Sequence, residues 1–319
     1  MSVAENTMPT QIAGVQPSLD ESYAICGAIA KREAKNFYYA FVALPAPRRN
    51  AICAIYAFMR KADDLSDDES ISREERRHNL DTWLETWQSV REGGLTDDPV
   101  FVAVRDAAAR FSIPFSLLDQ LVAGTTMDLE EPTAADGEPD TYATFADLYR
   151  YCYLVASVVG LVCIRIFGYN DPAAEKYAEE TGIAFQLTNI LRDVAEDAER
   201  NRIYLPLEDL AAHGVSVEQL RLHPKGAVTE SERNLLAAIA RRAEQYYLSA
   251  QSLLPLIDAE SRPALRVLVA IYHRLLQRIE RANYEVFAER ISVPKSQKLT
   301  ILAKGMLHMG LLRLRQSMS

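Results

Sequence analysis

Ala184-Phe185-Gln186-Leu187-Thr188-Asn189-Ile190-Leu191-Arg192-Asp193-Val194-Ala195-Glu196-Asp197 decides how this chain is read. Gln186, Asn189, Asp193 and Asp197 recur at intervals of three and four, so a helix places them in one polar stripe. The stripe is set among Phe185, Leu187, Ile190, Leu191 and Val194, residues that belong in a core. Burying an amide or hydroxyl beside such neighbours costs roughly 2–7 kcal/mol unless something pairs with it, and a carboxylate costs more. Two carboxylates facing one way, with an amide behind them, suit a divalent cation.

A second stripe lies far upstream in Arg60-Lys61-Ala62-Asp63-Asp64-Leu65-Ser66-Asp67-Asp68. Asp63 and Asp67 are one helical turn apart and share a face with Arg60 and Asp64. The run before them, Ala51 to Met59, is apolar enough to be a buried helix. A lone acidic cluster is as easily a solvated helix end. Two clusters, each on an apolar helix, point instead to an oxygen-rich cleft for hard cations. Magnesium typically takes one or two carboxylates together with substrate phosphates. Acidic helices, basic residues and an apolar interior therefore suggest a diphosphate carried on a greasy tail.

The rest of the chain narrows the classes. Its 319 residues, 49% hydrophobic and 25% charged, suffice for a sizeable core. The net charge of −9, with no offsetting basic stretch, argues against nucleic-acid binding. Cys26, Cys53, Cys152 and Cys163 lie in apolar stretches without CxxC spacing and read as core thiols of a reducing compartment. The five histidines are scattered without an HExxH motif, which argues against zinc. Residues 1–18 are polar, carry Pro9 and Pro17 and read as a flexible tail rather than a signal peptide. The longest apolar run, Leu154–Ile164, is too short to span a bilayer, so a cytoplasmic location is expected. Residues 298–315 alternate leucines and methionines with basic residues; core packing is the simpler reading, and a membrane-surface helix the other.

Helical periodicity dominates. Helices are predicted at about 19–43, 48–66, 72–92, 98–111, 114–130, 144–168, 172–197, 229–255, 260–289 and 295–315. Prolines fall between these segments or in their first turns, and Glu131–Asp140 reads as a loop. Arg200–Gly226 is a longer irregular connection with a short helix near Val217. No repeat or domain linker stands out, so the expected architecture is all-α, one domain over 19–319, with helices bundled around a central apolar cavity.

At this point the sequence resembles the squalene/phytoene synthase family, the head-to-head prenyl synthases, from about residue 20 to about 300. Phe37-Tyr38-Tyr39 through Leu44-Pro45, then Ala54-Ile55-Tyr56-Ala57-Phe58 and Arg60–Asp67, match its first aspartate-rich region. Tyr151-Cys152-Tyr153-Leu154-Val155-Ala156-Ser157-Val158-Val159-Gly160 fits its tyrosine-led block. Gln186–Asp197 fits the second aspartate-rich motif, and Asn201-Arg202-Ile203-Tyr204-Leu205-Pro206 a further block. One departure is Ala34-Lys35-Asn36-Phe37, where relatives often carry Ser-Lys-Ser-Phe; a serine–phosphate contact there is absent or passes to Lys35 and Asn36.

The resemblance implies the isoprenoid-synthase type of helical bundle and a Mg²⁺-dependent prenyltransferase joining two prenyl diphosphates, with two or three ions. Asp63, Asp67, Asp193 and Asp197, with Asn189, would hold the metal. Gln186 and Asn189 would complete the polar wall, Arg60 would bind phosphate directly through its planar fork, and Tyr151 would steady a carbocation or aid proton removal. Phe37 belongs to the substrate wall, and Tyr272, Arg290 and Lys298 resemble remote diphosphate contacts. Phe41, Val155, Leu161 and Phe185, with Phe37, are candidates for a tunnel lining, although ordinary core packing is the simpler reading of each. Asp64, Asp68, Asp128 and Glu196 receive no role, and Arg192 reads as a structural ion pair. Farnesyl diphosphate giving a presqualene diphosphate or squalene-type C30 product is slightly preferred to geranylgeranyl diphosphate giving phytoene. NADPH dependence, product release at the inner face of a membrane, and a monomeric or homodimeric state are left open. A non-catalytic assembly factor should have lost its acidic pairs, and a terpene cyclase would not need the Tyr151 and Arg202–Pro206 blocks.

Overall fold

The longest helices are those whose apolar faces have most to bury. The structure, a computed structural model, describes residues 16–130 and 140–305. Its elements are α1 (Leu19–Glu33), α2 (Lys35–Val42), α3 (Ala46–Ser66), α4 (Arg73–Arg91), α5 (Pro99–Arg110) and α6 (Phe115–Glu130). There follow α7 (Phe145–Cys152), a π-helical turn at Tyr153–Ser157, α8 (Val158–Phe167) and α9 (Ala173–Glu199). The chain continues through α10 (Leu207–Ala212), α11 (Val217–Arg221), α12 (Glu230–Leu253) and α13 (Arg262–Arg281) to a last helix over 295–305. The all-α expectation holds. The exceptions among the described residues are two-residue strands β1 (Asp140–Thr141) and β2 (Arg202–Ile203), which pair in parallel.

Side chains mark the helix starts. Ser72, Thr144, Ser216 and Thr229 each form a reciprocal capping box with the acidic or amide side chain three residues on. Two predicted helices are divided or shortened. The 19–43 segment breaks at Ala34, whose near-zero ψ turns the chain into α2. The 260–289 segment ends at Arg281, because Asn283 and Tyr284 adopt left-handed backbone at φ 54° and 61°. That turn frees residues 285–294 to run across the bundle.

Two buried clusters form the core. One gathers α1, α3, α5 and α6 around Phe58, Trp83, Trp87 and Phe101. The other surrounds α9, α12 and α13. Phe37, Val269 and Leu302 pack against both. The run Phe145–Phe167 is one unbroken helical stretch, longer than Leu154–Ile164, whose most apolar 18 residues have a mean hydropathy of 1.7, by length and composition enough to cross a membrane. Here it packs against α6 and α9, which with the rest of the bundle bury 39% of that apolar stretch. Backbones approach closely around its π turn. A Cβ at Gly124 would lie 2.5 Å from the Leu154 carbonyl oxygen, and one at Gly182 would lie 2.6 Å from the Ser157 Cα.

The thiols are buried or half-buried, and burial pushes Cys26 and Cys163 up to about 12 and Cys53 up to about 11. Inert core thiols are what the sequence leads one to expect. The flexible tail assigned to 1–18 lies outside the described residues except for 16–18. The Glu131–Asp140 loop, apart from Asp140, and the C-terminal stretch 306–319 also lie outside them, as do the side chains of Lys35, Asn36 and Asp128.

Candidate active site

An apolar cavity of about 260 Å³ runs between α2, α3, α8, α9 and α13. Its walls include Phe41, Ile52, Ile55, Met59, Val155, Val159, Phe167, Gly182, Phe185 and Leu268. Phe37, Phe41, Val155 and Phe185 thus line it; Leu161 does not and packs against the core. Phe37, Tyr56, Asn189 and Tyr272 belong equally to a second, polar hollow of about 690 Å³. That vestibule also carries Arg192, Arg290, Ser292, Lys295 and Lys298. The two spaces therefore share a four-residue neck.

Aromatic contacts hold the neck. Phe185 stacks on Tyr272 at 4.4 Å between centroids, Tyr272 meets Phe37 at 5.7 Å, and Phe41 meets Tyr56 edge-on at 6.2 Å. Burial raises the Tyr272 hydroxyl to about 12, so it stays protonated at neutral pH. Lys298 is lowered, by burial first and then by Lys295 and Arg192. Four cationic side chains against one acid, Glu33, give the vestibule a preference for anions.

Of the α9 stripe, Gln186 lines the cavity and Asn189 the neck, whereas Asp193 and Asp197 line neither space and Asp197 sits beside Arg202 and Tyr204. Asn189 donates through Nδ2 to Gln186 Oε1 at 3.2 Å, while its own Oδ1 is buried with no protein partner. Asp193 accepts from Arg192 and from Arg290, the latter through Nε at 3.0 Å and Nη2 at 2.8 Å. Arg290 Nε also lies 3.3 Å from Glu196 Oε1. Burial, and then the Asp193 charge, pushes the Asp197 carboxyl up to about 7. A nearby cation would restore its charged form. Asn189 Oδ1 and the carboxylates of Asp193 and Asp197 follow one another at successive helical turns, an all-oxygen donor set that fits a hard divalent cation.

On α3, Arg60 holds Asp63 at 2.8 Å and also pairs with Asp64, all three half-exposed or exposed. Asp67 is the C-cap, its N–H donating to the Asp63 carbonyl. Tyr56, one turn before Arg60, reaches the vestibule, whereas Arg60, Asp63 and Asp67 lie beyond the residues lining either space. Among the described residues, no three acidic, histidine or cysteine side chains converge as a ready-made metal cage.

Tyr151 differs from its expected position beside the reacting carbons. Its ring stacks on Tyr204 at 4.9 Å and lies 5.6 Å from Tyr142, and it lines neither space. The helix is continuous here, so the cavity face falls about one turn later, on Val155 and Ala156. Sequence reasoning missed Tyr56, Ser292 and Lys295, and gave Arg192 only its ion pair. The Lys295–Lys298 interval of three, on a helix after Pro294, was an available signal.

Comparisons with known proteins give the family. The squalene/phytoene synthase family model matches residues 30–297. A phytoene synthase of Mycobacterium tuberculosis is 34% identical over 291 residues, covering 90% of this chain and 91% of its own. One from Arthrospira platensis is 35% identical, covering 88% and 91%. Among solved structures, a dehydrosqualene synthase bound to a ligand superposes with a TM-score of 0.78 at 31% identity, covering 92% of this chain and 98% of its own. A squalene synthase from Alicyclobacillus acidocaldarius gives a TM-score of 0.74 at 25% identity, over 83% and 95%. With nearly its whole length matched, and a cationic vestibule leading through an aromatic neck into an apolar cavity, the chain belongs to the squalene/phytoene synthase family of prenyltransferases.

Proposed function

We infer that this enzyme binds two farnesyl diphosphates, with their diphosphates at the vestibule, and joins them head to head into a presqualene diphosphate or squalene-type C30 product. The observation that carries this is the shared neck of Phe37, Tyr56, Asn189 and Tyr272 between a cationic hollow and an apolar one. From Asn189 at the mouth to Ala178 at the far end, the α9 wall extends about 16 Å at roughly 1.5 Å per residue. A farnesyl backbone reaches about 14 Å and a geranylgeranyl backbone about 19 Å, allowing for the zigzag of roughly 1.5 Å C–C bonds. Depth therefore favours the shorter chain. The second reading, phytoene formation from geranylgeranyl diphosphate, is favoured by the names of the sequence relatives.

The residues divide the work. Arg192, Arg290, Lys295 and Lys298 would neutralise charge developing on the departing diphosphate. Asn189, Asp193 and Asp197 on α9, and Asp63 and Asp67 on α3, would hold magnesium, which would supply further neutralisation as a Lewis acid. The faces of Phe37, Phe185 and Tyr272 present electron-rich surface where an allylic cation would form. The cavity walls keep water from that cation, which would otherwise be quenched to an alcohol. Tyr151 acts indirectly, bracing Tyr204 beside the Arg202–Pro206 segment.

The test is to incubate purified protein and Mg²⁺ with farnesyl or geranylgeranyl diphosphate, with and without NADPH, and identify products by mass. A C30 product from farnesyl diphosphate is expected. A C40 product alone would establish the second reading, and no coupled product from either substrate would overturn both.

A further inference from the structure

Asp193 Oδ1 receives three N–H groups, from Arg192 Nε at 2.8 Å and from Arg290 Nε and Nη2 at 3.0 and 2.8 Å. Oδ2 pairs with Arg192 Nη2, so Arg290 acts on Oδ1 alone, and a cation approaching that oxygen meets its guanidinium. The two arginines are not equivalent. Arg192 is adjacent on α9 and only 16% exposed, whereas Arg290 is 50% exposed on the non-helical segment after α13. That segment is anchored on either side of Arg290. Phe287 stacks on His223 at 3.9 Å, Glu285 pairs with Arg233, and Ile291 and Val293 are buried. Arg290 can therefore change partner while the segment stays in place. It also faces the vestibule with Lys295 and Lys298, where an entering diphosphate would offer it better acceptors.

We propose that Arg290 is an exchangeable latch, which occupies Asp193 in the empty enzyme and yields it to the metal when a diphosphate draws the guanidinium away. The inference rests on the metal-side reading of Asp193 given above. Metal and diphosphate then bind cooperatively, each raising the affinity for the other by the same factor. The Oδ1 of Asn189, one turn before Asp193 on α9, is buried with no protein partner, an oxygen of the kind a hard cation takes.

The test measures Mn²⁺ binding by the electron paramagnetic resonance of the free ion, on the full chain, first without and then with inorganic pyrophosphate. Proteins compared are wild type, Arg290→Gln, Arg290→Lys, Lys298→Gln and Asp193→Asn. Loss of a direct charged partner should tighten Mn²⁺ binding by Arg290→Gln about tenfold without pyrophosphate. Lys298→Gln, which removes a vestibule charge that makes no contact with Asp193, should change it less than about threefold. Arg290→Lys should fall between wild type and Arg290→Gln, and pyrophosphate should tighten Mn²⁺ less in Arg290→Gln than in wild type. If Arg290→Gln binds no more tightly than Lys298→Gln while Asp193→Asn loses the ion, the latch is refuted and the metal reading stands. If Asp193→Asn binds Mn²⁺ as wild type does, the metal reading fails and the latch with it.

Discussion

Replacing glycine by alanine in two helices of this bundle should change stability in opposite directions. Gly27, in α1, has nothing within 4 Å of the place a Cβ would take. Alanine there gains helix propensity and loses unfolded-state freedom, so Gly27→Ala should stabilise by about 0.5–1 kcal/mol. Gly182, in α9, would set its Cβ 2.6 Å from Ser157 Cα, 2.8 Å from Ser157 N and 2.9 Å from the Ala156 carbonyl carbon. Ordinary carbon contacts lie at about 3.5–4.0 Å, so α9 and the π turn must part by about 1 Å. All three obstructing atoms are backbone, and no side-chain rotation relieves them. Overpacking of this kind costs about 1–3 kcal/mol and exceeds the propensity gain of up to about 1 kcal/mol. Gly182→Ala should therefore lower stability by about 1–2 kcal/mol net. Because Gly182 and Ala156 both line the cavity, turnover should fall as well. Urea unfolding followed by circular dichroism measures the first effect, and product formed at saturating substrate the second. If Gly182→Ala is as stable and active as Gly27→Ala, the close approach of the two backbones does not shape the cavity.

Asp193→Asn should reduce condensation by at least about a hundredfold, since it removes a carboxylate that would hold the metal neutralising the diphosphate, while circular dichroism shows the helical content retained. Phe167→Ala at the far end of the cavity should cost about 3–5 kcal/mol in urea unfolding, and should raise the turnover ratio of geranylgeranyl to farnesyl diphosphate. An unchanged ratio would show that depth does not select the chain. Arg48 donates to the Phe167 carbonyl oxygen at 2.6 Å and to Asp258 at 2.7 Å, tying α3 to the ends of α8 and α12 behind that floor. Arg48→Met should therefore destabilise by about 2–3 kcal/mol with its effect greatest on thermal inactivation, measured as loss of activity on heating.

What was legible in the sequence was whatever repeats along one helix. Gln186, Asn189 and Asp193 carry their shared face in their spacing, and the aromatic and aliphatic positions of α3 and α9 carry theirs, so the bundle and its polar stripe could be read directly. The breaks were not readable in that way. Ala34 is an ordinary helix former, and the turn there comes from packing α2 against α13; likewise Tyr284 has no reason to be left-handed except that its N–H reaches the Ile279 carbonyl and the chain must leave α13. Tyr151 shows the sharper limit: a tyrosine that opens a motif invites a chemical role, but a helix turns its side chain to a fixed face, and that face meets Tyr204 rather than the cavity. Periodicity along one helix does not reach the vestibule: Tyr272, Arg290 and Lys298 follow from the family resemblance, and Lys295 was missed. Arg192, Arg290, Lys295 and Lys298 belong to three different stretches of backbone, and only the left-handed turn after α13 brings the last three back to the first. The groups that would govern when a diphosphate and its metal bind are therefore set by a turn whose residues take no part in the chemistry, which makes that turn as much a determinant of the site as the aspartates themselves.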